Sequence, residues 1–442
     1  MLTSLFKQPR AVFLLSFVQL WNRFSHYGMR ALLLLYMINV QKFPDLEAIG
    51  IFTVYSALTE LGGVFGAYLA EKILGLRRAV MLGGWLIGIG HLLLALELDF
   101  FTALGFVILG SSLYTTNVAT LLGEYYNEGD VHREQGFTIF YMSINIGAFA
   151  ATLLCGYIAE TYGWHFGFGL AAIGMVFANL SLLCFRKFLL GKGEPPLPKK
   201  RSLHSLVLTL LLALGVAVFS LQQHHISVTL LPWIAGVLLL WIFTRLRTKR
   251  LIVTVMGLIL FFIAGEQISS SLLIFADKLA NGSLPATALL AINPLIVILG
   301  GSFASMILVR TKSPVLRTLF PFTIAAIAFA LLYVAVPGLF LVGTVIGLIS
   351  FAELLVGPVT YSACSEAAMT QKDPKIMALM PIGFALAASL GGLYSQAIAG
   401  DVFDIHRYGN GFGFMAFGLL LAGGILAFAT KDREKQRISS TI

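Results

Sequence analysis

Apolar residues fill this chain in long runs, broken by short polar stretches. A helix that crosses a bilayer needs about 20 mostly apolar residues. By that measure the runs predict fourteen spans: 11–38, 47–70, 78–97, 100–123, 136–159, 165–185, 202–221, 228–245, 251–276, 284–309, 316–335, 338–363, 376–399 and 409–430. The first begins behind a charged N-terminal stretch. It runs past Trp21 to Val40 with no small-residue cleavage pattern, so it reads as a retained helix and not a leader. The two spans between 202 and 245 come after a basic, Pro-containing stretch, Gly193 to Arg201, and leave six spans on either side. The expected organisation is an all-α membrane protein. It has a six-helix bundle over 1–190, a linker with two inserted helices over 191–249, a second six-helix bundle over 250–432 and a tail over 433–442.

Composition supports a bilayer as solvent. Hydrophobic residues make up 58% of the 442 positions and charged residues 12%, and a soluble domain could not keep that much apolar surface from water. The net charge of +9 would suggest nucleic acid in a soluble protein, but the basic residues sit in the short breaks. With the N-terminus placed in the cytoplasm, 25 of the 30 Lys and Arg fall on the cytoplasmic side. The other face holds Lys42, Lys278 and Arg407, and two more lie inside spans. This bias puts both termini in the cytoplasm, with lipid and not nucleic acid as the protein's surroundings. Cys155, Cys184 and Cys364 lie in or beside apolar runs without metal-type spacing and read as packing residues. No metal or other cofactor is implied. The chain has no HExxH, GxSxG or Walker loop and no Ser/His/Asp arrangement, so the sequence points away from an enzyme and from direct use of ATP.

Five charges fall well inside spans: Arg23, Arg30, Glu60, Glu266 and Glu353. Each is costly against lipid and should face a cavity or a partner. A structural ion pair or a snorkelling side chain is the plainer reading. Against snorkelling stands the first span, where Gln19, Asn22, Arg23, His26, Tyr27 and Arg30 recur at offsets 0, 3, 4, 7, 8 and 11 and form one polar stripe. His26 reads either as a packing residue or as a proton carrier. The first six core spans carry the two arginines and one glutamate, the last six two glutamates. A zwitterion with separated ammonium and carboxylate would suit such a field.

Several stretches carry a resemblance. Phe17 to Tyr36 (FVQLWNRFSHYGMRALLLLY), Phe140 to Gly147 (FYMSINIG) and Asn117 to Phe137 (NVATLLGEYYNEGDVHREQGF) resemble the proton-dependent oligopeptide transporters of the major facilitator superfamily. Gly66 to Arg78 resembles the general facilitator loop, with Glu71 where aspartate is usual; Asn293-Pro294 and Glu353 to Ser362 are similar to the eighth and tenth core helices. The resemblance implies the major facilitator fold with the two extra helices of bacterial members. It implies uptake of di- and tripeptides by alternating access. It assigns Arg23 and Tyr27 to the peptide's carboxylate end and backbone, Asn145 and Asn293 to the backbone, and Glu353 to the amino terminus. Arg30 and Glu266 would form a gate pair. Phe261 and Glu60 stand where the family has a pocket tryptophan and tyrosine.

The departures are as informative. The family's ExxER reads Gln19-Leu20-Trp21-Asn22-Arg23 here, and its lysine on the fourth helix falls at Thr115, so three charges of one network are absent together. Losing the acids alone would strand a lysine in the membrane. Proton coupling is therefore expected to be lost or moved, with His26, Glu60, Glu266 and Glu353 as the groups able to carry it. Two other functions stay open: the same fold moving a non-peptide or peptide-like solute, and a receptor or scaffold that binds without transport. The expected partners are a small peptide-like solute, protons and lipid, with the chain acting as a monomer.

Overall fold

The computed structural model describes residues 8–127, 130, 132–195, 203–246, 249–281, 285–400 and 402–439. The basic linker residues 196–202 lie outside the described residues. Among the described residues fifteen α-helices run in chain order: α1 Arg10–Asn39, α2 Asp45–Leu69, α3 Leu76–Ala95, α4 Phe100–Gly123, α5 Arg133–Tyr162, α6 Trp164–Cys184, α7 Leu203–Gln222, α8 His224–Phe243, α9 Lys249–Gly265, α10 Ser271–Ala280, α11 Ile292–Arg310, α12 Pro314–Val334, α13 Leu339–Thr370, α14 Leu379–Ala399 and α15 Ile405–Ser439. Every expected span falls on a helix, and the ninth is broken into α9 and α10 by a 3₁₀ turn over Glu266–Ser269. Thirteen helical segments among the described residues are long and apolar enough to cross a membrane. The first, α1, is not among them, because its polar stripe lowers the apolar content of a helix otherwise long enough.

The chain divides into two compact units: Met1–Val40 with Val54–Ser227, and Gln41–Thr53 with Val228–Ile442. In the first unit α1 packs along α5 and α6, and α3 packs between α4 and α6. In the second, α12 packs against α13 and α15, and α9 against α14 and α13.

Glycine sets the closest approaches. A Cβ on Gly66 of α2 would lie 1.7 Å from the Ser112 carbonyl oxygen of α4, and one on Gly147 of α5 would lie 2.3 Å from the Leu20 carbonyl oxygen of α1. Such contacts let backbones touch where lipid supplies no hydrophobic drive for helix association. Asn117 of α4 exploits the first, donating from Nδ2 to the Gly66 carbonyl at 3.1 Å.

Large apolar side chains also point outward. Leu212 and Phe219 on α7 and Trp233 on α8 are 62–76% exposed. Polar groups instead collect inside: Gln19, Asn22, Ser112, Asn117 and Asn179 are each at most 2% exposed. Apolar out and polar in is the arrangement a bilayer selects.

At the ends of α3 and α4 the chain is tied to the segment beyond α6. Arg77 pairs with Glu194 at 2.8 Å and donates to the Leu189 carbonyl at 2.9 Å, while Glu124 Oε2 accepts from the Gly193 amide at 2.6 Å. Tyr126 donates to Gln8 Oε1 at 2.6 Å, and burial pushes its phenol up to about 12, so it stays a donor at any ordinary pH.

Candidate solute-binding site

The polar stripe of α1 resolves into two parts. Gln19 and Asn22 are buried, at 1% and 2% exposure, whereas Arg23, His26, Tyr27 and Arg30 are half-buried. The sequence spacing places all six on one side but does not register that neighbouring helices cover part of it. Asn22 Nδ2 approaches Met175 Sδ of α6 at 3.8 Å, while Asn22 Oδ1 and Gln19 Oε1 find no hydrogen-bond donor. Tyr114 of α4, the neighbour of Thr115 in sequence, donates to the Val18 carbonyl of α1 at 3.3 Å.

The half-buried part is an electropositive patch. His26 stands edge-on to Tyr27, with ring centres 5.1 Å apart, and lies within electrostatic reach of Arg23, Arg30 and the buried His91 of α3. Tyr55 of α2 lies within reach of both Arg30 and Glu60, which places Glu60 in the same neighbourhood. Neither His91 nor Tyr55 stands out in the sequence. Asn145, at 7% exposure, spends its amide on the Tyr141 carbonyl of its own helix at 3.0 Å.

In the second unit the sequence residues converge more tightly. Asn293 lies in the first turn of α11, after a 3₁₀ turn over Ala286–Ala291. Its Nδ2 donates to Glu353 Oε2 at 2.9 Å and to Ser350 Oγ at 3.0 Å, both on α13. Ser350 in turn donates to the Ile346 carbonyl at 2.6 Å, leaving its oxygen to accept. The half-buried Glu353 of α13 is thus held by Asn293 of α11, which Ser350 orients from one turn away. The spacing of the sequence gives no hint of Ser350.

Phe261 is fully buried, edge-on to Phe322 at 6.0 Å, and has no surface to offer a solute in this structure. Its half-buried neighbour Phe262 stands edge-on to Phe384 at 4.8 Å.

Glu266 opens the turn that interrupts the ninth span. The next residue, the fully buried Gln267, is pinned: Nε2 donates to the Ile263 and Gly391 carbonyls, both at 3.0 Å, and Oε1 accepts from Ser271 and Ser395. Ser270 and Ser395 hydroxyls meet at 2.8 Å. This cluster, which sequence reasoning missed, joins the break to α14.

Known proteins place the chain in a family. The sequence profile of the POT family (PTR2) matches residues 77–334, more than half of the chain. The chain belongs to the POT family. Among curated relatives, the peptide transporter YePEPT of Yersinia enterocolitica is 30% identical over 447 residues, covering 87% of this chain and 86% of that protein. The transporter YclF of Bacillus subtilis is 30% identical over 327 residues and the di-/tripeptide transporter of Lactococcus lactis 37% over 185. The chain spans 66% and 37% of the length of those two. A crystal structure of a POT peptide transporter with sulfate superposes with a TM-score of 0.82 at 26% identity, covering 96% of this chain and 95% of that one. A POT family transporter solved with 5-aminolevulinic acid gives 0.82 and 26%, covering 96% and 97%. This POT chain is therefore an all-helical, multi-pass membrane protein with that transporter fold.

Proposed function

We propose that this POT family member takes up small peptides, di- and tripeptides, by alternating access. The observation that carries the reading is the Asn293–Glu353–Ser350 cluster. Asn293, itself held by Ser350, donates to the Glu353 carboxylate and fixes it at membrane depth, and a carboxylate so placed suits the ammonium of a peptide's amino terminus. The complementary patch of Arg23 and Tyr27, with His26 beside them, suits the peptide's carboxylate end, and Arg fits a carboxylate in bidentate fashion. Asn145 and Asn293 serve the peptide backbone. Arg30 and Glu266 act as the gate, a pair that forms in one state and hydrates in the other. Phe261 is left out of the contact set, since it is buried in the packing of α9.

The named substrates of the relatives support this reading. A panel of di- and tripeptides should compete for uptake by the purified protein in liposomes. A panel without effect would remove peptides as the substrate class. One observation favours a second reading, an amino acid derivative: the family transporter solved with 5-aminolevulinic acid, a solute with the same separated ammonium and carboxylate.

Proton coupling in this chain is altered or lost, because Gln19, Asn22 and Thr115 stand where the family's coupled charges would be. If coupling is retained, it runs through Glu60, Glu266, Glu353 or His26. The chain works as a monomer in a bacterial inner membrane with both termini cytoplasmic.

A further inference from the structure

The second unit contains a partly open cleft of about 470 Å³ bounded by α9, α12, α13 and α15. Arg250, Lys312 and Arg317 line one end of it, at the starts of α9 and α12 and in the connection before α12. Phe322, Val356 and Leu426 form its apolar walls, and Gly257 supplies bare backbone. Gly257 lies seven residues beyond Arg250, so the apolar part reaches about 10 Å deeper along α9.

The chemistry of the lining selects one kind of ligand. No Asp or Glu is among the lining residues, so nothing there would receive the ammonium of a peptide. Four threonines line it, and each hydroxyl already donates to its own helix: Thr254 to Arg250, Thr318 to Pro314, Thr360 to Val356 and Thr430 to Leu426. The donors left for a ligand are cationic. A volume of this size is typical of a small-molecule site. Three cations at one end and apolar walls behind them match a phosphate diester carrying hydrocarbon. Loop arginines and lysines also serve topology alone, but topology demands no cavity behind them.

We propose that this cavity holds an anionic phospholipid, its phosphate at Arg250, Lys312 and Arg317 and the start of an acyl chain against Phe322, Val356 and Leu426. Basic pockets between spanning helices are suited to such headgroups, and each cation is worth about 1 kcal/mol, or about fivefold. Native mass spectrometry of the full chain tests this, with phosphatidylglycerol and phosphatidylcholine of identical chains offered in competition. The wild type should retain phosphatidylglycerol in preference. Single changes of Arg250, Lys312 and Arg317 to Gln, all exposed positions, should each lower retention about fivefold. Val359→Trp, at a lining residue 37% exposed, should block the lipid with every cation in place. Equal retention of the two lipids by the wild type would overturn the proposal, as would unchanged retention in the triple Gln variant. Displacement of phosphatidylglycerol by millimolar inorganic phosphate, together with no effect of Val359→Trp, would make this a free-phosphate site and overturn the lipid assignment. Unchanged helical content by circular dichroism keeps loss of fold apart from loss of the site.

Discussion

Gln19 and Asn22 show what a single side chain does at membrane depth. Each is buried with its carbonyl oxygen lacking a donor, and Thr115 sits on the helix whose neighbouring Tyr114 reaches α1. Placing a carboxylate there alone buries an unpaired charge. Gln19→Glu should therefore lower the melting temperature of the solubilised protein, at a cost of about 3 kcal/mol, and Gln19→Glu with Thr115→Lys should recover most of that loss. Additive effects in this double-mutant cycle would show that the two positions do not form one network. Glu353→Gln removes the charge while keeping the amide partner geometry. It should reduce peptide uptake about 10- to 100-fold, the worth of a charged hydrogen bond, with little change in melting. At this scale the sequence is partly readable. Charges inside apolar runs announce themselves because hydrocarbon does not tolerate them. That Asn293 touches Glu353, 60 positions away, is a matter of tertiary packing. Phe261 and Phe262 differ by one position, which on a helix is a rotation of about 100°, and no count of apolar residues tells which of the two faces inward.

Among the helices, glycine contacts decide which segments can touch. Gly66→Ala would drive a Cβ into the Ser112 carbonyl and disturb the Asn117 bond to the same turn of α2. A loss of at least about 1–3 kcal/mol is expected, read as a lower melting temperature. Gly215 of α7 meets nothing within 4 Å, so Gly215→Ala should be neutral or stabilising by up to about 1 kcal/mol. Equal effects from the two changes would refute close packing of α2 on α4. Span positions were legible throughout because bilayer thickness fixes helix length. The interruption at Glu266–Ser269 was not, since a local change of backbone pattern leaves hydropathy untouched. The exclusion of α1 from the most apolar helices has its cause in the same polar stripe that makes it the candidate for solute contact.

For the whole molecule, the pattern of apolar runs fixed the class of protein, and the family profile and superposed crystal structures agree on its fold. The energetics of transport are a separate matter. An inward proton gradient across liposomes should leave peptide uptake unaccelerated if coupling has been lost. Acceleration that disappears in Glu60→Gln would assign the coupling to that acid. Acceleration unaffected by changes at His26, Glu60, Glu266 and Glu353 would contradict both readings.

The turn between α9 and α10 carries a mechanical consequence. A continuous rod passes any tilt of one end on to the other. Here the rod is jointed, and the joint is lashed by Gln267 and Ser270 to Ser395 of its neighbour. The short piece α10 is thereby coupled to α14 across the break, so that a tilt of α9 is taken up at the joint. Cutting the lashing with Ser395→Ala should free the joint, seen as faster amide hydrogen exchange over 266–280 with α9 unchanged.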